Sequence, residues 1–469
     1  MKYRRNSIIH WVLIFILSIH STHLLAENIY VSNLSEFNRA QNLILAGDTI
    51  TWKNGFYKNL EMLVYCSGIR VIAEGPGKVV FTGSSKCEIA GDHIIFSGFQ
   101  FIEGKIKDDV LTLSGDYNLV TEVNISDYTS NYYVNIKVGS RYNLVTYSNF
   151  EKKPHVASGE KGNSVFQIEA SPSSIGYNRV SFCSFINHTA HEGAGWDYGM
   201  EALRIGYSYQ CQNISRSIVE YCYFNKCNGD AEIISNKARE NVFRYNTFAD
   251  NGQSHFTQRH GDAAYIYGNF FLNGMGIRIK EGQGHAVFNN YFNTGTYPAI
   301  SLQNHRADPP DSILIAFNTF VNSGPLLLGG SGSYKPGHVT IANNIFMGGS
   351  TEIFNDPTGT ETWLGNIASA QLGFSDMDGI SFHYPGLISN TEGYFAPSDS
   401  SPAIDAALEG YPAIPDIPVL DEDWKIRLDL MQGARPWKIS LRDAGCSEFP
   451  GDTIRPYVDA LNTGPAYLK

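Results

Sequence analysis

The sequence predicts an all-β protein: a right-handed parallel β-helix (solenoid) with a short N-terminal capping helix and an irregular C-terminal cap. Three observations predict it. An apolar stretch followed by Asn-x-Phe recurs at Asn246-Thr-Phe248, Asn269-Phe-Phe271, Asn290-Tyr-Phe292, Asn318-Thr-Phe320 and Asn344-Ile-Phe346, at intervals of about 21 to 28 residues. Each of these repeats carries a further strand-like stretch that ends in polar residues. Long helical periodicity is absent, whereas Gly, Asn, Tyr and Phe are abundant. A period in the low twenties suits one solenoid turn of two or three short strands. A leucine-rich repeat would show its leucine frame, and a propeller needs blades of about 40 residues. Right-handedness follows from the general rule for parallel crossovers.

The elements follow in order. Residues 1–26 read as a secretory signal peptide: Lys2, Arg4 and Arg5 precede the apolar run Ile8 to Leu17, and Leu24-Leu25-Ala26 closes it. His10, Trp11, His20 and Ser21 leave that run short for a membrane span, so the mature protein is expected to be exported to the periplasm, the outer surface or the medium. Residues 27–469 read as a single β-helix domain. Ser35 is expected to cap a short amphipathic helix with Phe37, Ala40 and Ile44 on one face, ended by Gly47 and Asp48. Thr49-Ile-Thr-Trp52 then starts the strands, and the helix covers the first open rung. Weaker repeats precede the clear ones, at Phe101, Ile125, Phe150, Phe185 and Phe224. Equivalent phenylalanines are expected to stack inside, and equivalent asparagines to form an amide ladder at a turn. From about residue 370 to 469 the repeat fades. Ser401-Pro-Ala-Ile-Asp-Ala406 and Gln432-Gly-Ala-Arg-Pro436 flank a proline-rich connection through Pro412, Pro415 and Pro418, which reads as a C-terminal capping region.

The formal charge of the 469-residue chain is −11. It repels acidic polymers at long range, so nucleic acid is not an expected partner and a polyanion site must be a local basic groove. Seven cysteines are an odd number without a clustered framework. Cys183 and Cys222 each precede a repeat phenylalanine by two and read as stacked buried thiols; Cys222-x4-Cys227 lacks the partners of a zinc site. A monomer is expected.

Chemistry concentrates in Asp230-Ala-Glu-Ile-Ile-Ser-Asn-Lys237 and, one repeat on, Arg259-His-Gly261. Asp230 and Glu232 are two apart and leave the same face of a strand. Stacking places Lys237 and Arg259 on neighbouring rungs, about 4.8 Å apart, above those acids. Glu201-Ala-Leu-Arg-Ile-Gly206, His255 to Gly261, Gly276-Ile-Arg-Ile-Lys280 and Ala299-Ile-Ser-Leu-Gln303 align as further rungs. Their outer face would present Arg204, Asp230, Glu232, Lys237, Arg259, His260 and Arg278, a site suited to an anionic substrate.

At these residues the chain resembles polysaccharide lyase family 6, which contains alginate lyases and chondroitinase B. The matching pieces are Asp230 to Lys237, Arg259-His-Gly261 and Gly276-Ile-Arg-Ile279, followed by His285 and Asn289-Asn-Tyr291; the resemblance extends over residues 28 to about 450. It implies β-elimination on a uronate-containing polysaccharide, most readily alginate, with Lys237 as the base and Arg259 as the acid. Arg204, His260, Arg278 and His285 would hold the anionic chain, with Tyr198 beside them, and Asp230, Glu232 and Glu201 would support the site. The resemblance also implies calcium on two acidic residues and an asparagine of the preceding rung. Here the asparagine position aligns with Tyr198 and the first acid is Asp230, so the calcium ligands reduce to Asp230 and Glu232 in an altered cage. The alternatives left open are a dermatan sulfate or chondroitin lyase, a glycoside hydrolase using Asp230 and Glu232, and a non-catalytic polysaccharide-binding β-helix.

Overall fold

The computed structural model describes residues 26–154, 163–190, 198–349, 352–369, 371–373, 378–414 and 427–469. The signal-peptide reading therefore lies outside the described residues, as do Pro415 and Pro418. The described chain forms a parallel β-solenoid of about 14 turns. Most turns contribute a strand to each of three sheets, in the same chain order. The first sheet has 14 strands from Asn28–Val31 to Thr362–Leu364. The second has 14 from Gly55–Lys58 to Ile380–Phe382, and the third has 12 from Glu61–Val64 to Phe354–Asn355. Most strands are three residues long, so each buries little by itself and is held by the rungs above and below.

The asparagine and phenylalanine repeats explain how the rungs stay in register. Phe185, Phe224, Phe248, Phe271, Phe292, Phe320 and Phe346 stack inside the second sheet, with successive centroids 4.6–4.9 Å apart. Asn246, Asn269, Asn290, Asn318, Asn344 and Asn366 sit at the corner between first and second sheets. Each Nδ2 donates to the next Oδ1 at 3.0 Å. The residue before each asparagine turns the corner in the left-handed region, as at Tyr245 (φ 57) and Asn289 (φ 53). The amide then satisfies backbone groups that the corner exposes. Asn290 Nδ2 also donates to Ile266 O and Phe288 O, and its Oδ1 accepts from Asn269 N. Asn290→Ala orphans several of these buried groups. It is expected to cost about 3 kcal/mol of stability in a denaturation titration, with the fold retained in circular dichroism.

The N-terminal helix α1 spans Leu34–Gln41, with Phe37 and Ala40 buried as expected. Its cap differs from the sequence reading. Asn33, in extended conformation, accepts from Glu36 N at 2.9 Å, and Ser35 lies inside the first turn. An Asx side chain two residues earlier reaches the free N–H groups first. All seven cysteines are free, and Cys183 and Cys222 are buried on paired rungs. Among the described residues no helix is long and apolar enough to cross a membrane.

The irregular C-terminal segment packs on late rungs and then runs back along the outside of the solenoid. Leu430, Ala444, Cys446 and Ile454 bury against Phe270, Tyr291, Ile345 and Ile367 of the second sheet. The Arg435 side chain is fully buried. It donates to Asn289 Oδ1 at 3.0 Å, pairs with Glu448 and lies over the Phe317 ring at 4.7 Å. Further on, Gly464 N donates to Phe182 O at 2.9 Å, and Tyr467 Oη reaches Phe99 O at 3.2 Å.

Candidate active site

The third sheet carries the candidate residues on its outer face. Its register aligns Arg204, Ser235, Thr257, Arg278 and Ser301 in one column. Alternation sends the flanking Leu203, Ile205, Ile277 and Ile279 into the core, which turns Arg204 and Arg278 outward. The next outward column lies just past the strand ends. There Lys237 N donates to Ile205 O, Arg259 N to Asn236 O and Lys280 N to Gln258 O, at 2.8, 2.8 and 2.9 Å. Lys237 and Arg259 are thus on neighbouring rungs, as the spacing predicts.

A β-bulge between Glu232 and Ile234 re-aims the Glu232 carboxylate. That carboxylate accepts from Ser235 Oγ at 2.5 Å, and pairs with Arg259 Nη1 at 2.6 Å and Arg278 Nη2 at 2.9 Å. Burial pushes the Glu232 carboxyl upward, but Arg259, Arg278 and Ser235 outweigh it and hold it below the ordinary range. Asp230 accepts from the N–H groups of Tyr198 and Gly199, both at 2.7 Å. Burial and the adjacent Glu201 carboxylate nevertheless push it up to about 7.

Lys237 is half-buried, and its Nζ makes no hydrogen bond or ion pair to another described residue. Burial lowers its pKa, and Arg204 and Arg259 lower it further against Glu201 and Glu232. Lys280 is lowered to about 8 by burial and Arg259. His260 Nδ1 lies 2.5 Å from Glu281 Oε2; burial outweighs that carboxylate and lowers the imidazole.

Two assignments need correction. His285 is only 1% exposed; Nδ1 accepts from Ala264 N and Nε2 bonds Glu281 O, each at 3.2 Å. It holds backbone beneath the groove and offers nothing to a polymer. Tyr198 does not take the third place beside Asp230 and Glu232: its N–H serves Asp230, and the third carboxylate is Glu201. Oxygen atoms of Glu201, Asp230 and Glu232 lie within 4.8 Å of one another, and all three residues are buried. Glu201 Oε2 has no hydrogen-bond partner, and Asp230 is strained toward its protonated form. Three clustered carboxylates, one with an oxygen that accepts no hydrogen bond, offer the hard donors a cation such as calcium takes, so this acidic triad could hold a metal ion.

Several residues of this candidate site escaped the sequence reading. Lys280 continues the column of Lys237 and Arg259 at intervals of 22 and 21 residues, a signal that was present. Glu281, the partner of His260, follows it. Tyr132 and Tyr207, which anchor Arg204, carry no sequence signal because they come from different turns. A cavity of about 550 Å3 lies elsewhere, between the second sheet and the C-terminal segment, lined by Tyr223, Tyr394 and Tyr457. It contains no lysine–arginine pair over clustered acids, so the open groove is the better site.

Residues 31–330 match the family described as chondroitinase B. No curated protein matches the chain. Among solved structures, the PL6 family alginate lyase AlyGC is similar at 24% identity and a TM-score of 0.70. The match covers 80% of this chain and 55% of that one, so this chain spans about half of its length. A mannuronic acid specific polysaccharide family 6 lyase from human gut microbiota is 25% identical with a TM-score of 0.64, over 75% of this chain and 87% of that one. Alginate lyase AlyF-OU02, solved with G6, shares the fold at 18% identity and a TM-score of 0.66, over 81% and 92%. With its solenoid, its basic groove and a match across most of its length, the chain belongs to the chondroitinase B family, within the family 6 polysaccharide lyases.

Proposed function

We propose that this protein cleaves a uronate-containing polysaccharide, alginate in the first instance, by β-elimination. The observation that carries the reading is Lys237. It is a half-buried amine with no hydrogen bond or ion pair to another described residue, its pKa is lowered, and it stands one rung from Arg259 and beside a carboxylate cluster. In the reaction Lys237 Nζ, neutral, takes the proton from C5 of the uronate. The C5 electron pair forms the C4–C5 double bond as the C4–O4 bond breaks, and Arg259 supplies hydrogen bonding and the proton to departing O4. Arg278, Lys280 and His260 hold the anionic chain in register. The C5 proton is weakly acidic, so the neighbouring carboxylate charge must be offset. A calcium ion on Glu201, Asp230 and Glu232 would supply that offset. We also propose export, on the basis of residues 1–26; N-terminal sequencing of the mature protein should find the chain starting near Glu27.

The triad bears on hydrolysis as well. Acids flanking a glycosidic bond stand about 5 Å or more apart on either side of the sugar, whereas Asp230 and Glu232 share one buried cluster with Glu201. The chondroitinase B match supports dermatan sulfate as a second substrate. Incubation with alginate and with dermatan sulfate, each with calcium and with chelator, tests the reading through ultraviolet absorbance of the unsaturated product. A rise with either polymer is expected and names the substrate; no rise from folded protein sinks the proposal. Calcium is expected to raise the melting temperature, and Glu201→Gln to abolish that shift.

The pH profile follows from the same groups. The amine must be neutral, so kcat/KM rises with pH, with its limb below the ordinary lysine value of 10.5. Glu201 is the strongest group favouring the charged amine. Glu201→Gln, measured with chelator, should therefore move the limb to lower pH; an unmoved limb would show that Lys237 is not the titrating base.

A further inference from the structure

The groove is not uniform along its length. Tyr132 precedes the strand Val134–Ile136, and Tyr207 follows the strand Leu203–Ile205 two rungs away. They approach from opposite edges of the third sheet, and their hydroxyls meet at 3.0 Å. Arg204 fills the space beneath. Its Nη2 donates to Tyr132 Oη at 2.8 Å and its Nε to Gln167 Oε1 at 2.6 Å, and its guanidinium lies 4.9 Å from the Tyr207 ring centre. The Arg204 side chain is left 11% exposed. It is consumed by this ridge and does not stand free in the groove.

The charge balance shifts across the ridge. On the Lys237 side Lys237, Arg259, Arg278, Lys280 and Arg306 stand among Glu201, Asp230, Glu232 and Glu281, so carboxylates do not outnumber the cations. On the far side Lys86 is shared between Glu61 and Asp108, each at 2.8 Å, and Lys137 between Asp109 at 3.6 Å and Glu169 at 3.5 Å. Four carboxylates there face two lysines, both already paired. A polyanion crossing the ridge would meet a steric step and then net negative charge.

We infer that the Tyr132–Arg204–Tyr207 ridge closes the groove at its N-terminal end, so that the enzyme works from polymer ends and releases short products. The inference rests on Lys237 and Arg259 marking the point of cleavage. The strands of Arg204 and Lys237 are adjacent, about 4.8 Å apart, which leaves room for about one sugar ring between ridge and base. The rest of the polymer extends over the rungs of Arg278 and Ser301.

The test uses the full chain on polymeric alginate and dermatan sulfate, with early products sized by gel-permeation chromatography while viscosity and absorbance are followed. Monosaccharides are expected first, with viscosity falling slowly for each unsaturated end formed. Tyr132→Ala/Tyr207→Ala should lengthen the first products; Tyr132→Phe/Tyr207→Phe, which keeps the rings and removes the hydroxyl link, should do so in part and guards against misfolding of the first variant. A broad ladder of early oligomers from the wild type overturns the closed end and leaves the lyase reading standing. Absence of unsaturated product from both polymers removes the cleavage site and the inference with it.

Discussion

Lys237→Ala is expected to lower kcat/KM on the cleaved polymer by about a thousandfold, the scale of a lost general base, with the melting temperature unchanged. Both halves follow from the geometry. The Nζ of Lys237 makes no hydrogen bond or ion pair to another described residue, so its removal orphans nothing. Its neighbours Arg204 and Arg259 keep their own partners, in Gln167 and Glu232. Lys237→Arg should not rescue turnover, because a guanidinium stays protonated where the amine does not. The measurement is initial absorbance rate against polymer concentration, beside a thermal scan. Turnover near that of the wild type would remove Lys237 from the mechanism.

The second large effect is expected at Glu232. Glu232→Gln leaves Arg259 and Arg278 without their shared carboxylate, and breaking one side of a buried ion network costs about 3 kcal/mol or more. Activity should fall as well, because the Arg259 guanidinium loses the group that aims it. The pH dependence has a definite sign. The Glu232 carboxyl is held below its ordinary 4.5 in the folded protein. Its contribution is therefore complete above that value and disappears as pH falls through the lower folded pKa. Denaturation midpoints should converge between wild type and variant as pH drops below about 4.5 and stay apart at neutral pH. Parallel midpoints at every pH would show that Glu232 carries no such linkage.

Much of this arrangement was legible because solenoids convert sequence period into spatial neighbourhood. Asn246, Asn269 and Asn290 are equivalent in sequence and therefore touch in space, and the same logic placed Lys237 beside Arg259. The logic fails wherever a contact departs from the period. Glu201 joins Asp230 and Glu232 at an interval that the repeat does not give. Tyr132 and Tyr207 are 75 residues apart and come from opposite sheet edges, which no repeat spacing relates. His285 follows a familial motif yet turns inward, because the corner that exposes Ala264 N needs an acceptor there. Asn33 outcompeted Ser35 for the helix start by two residues of local geometry.

The returning C-terminal segment has a consequence for how the protein comes into being. A solenoid can add rungs as the chain is synthesised, since each turn needs only its predecessor. Here Gly464 and Tyr467, made after every rung, bond to Phe182 in a middle turn and Phe99 in an early one. Rungs completed before this segment thus wait for it before their outer face is fastened. A chain lacking the segment would be a stack free to fray turn by turn, and its docking would convert the stack into a body that opens as one.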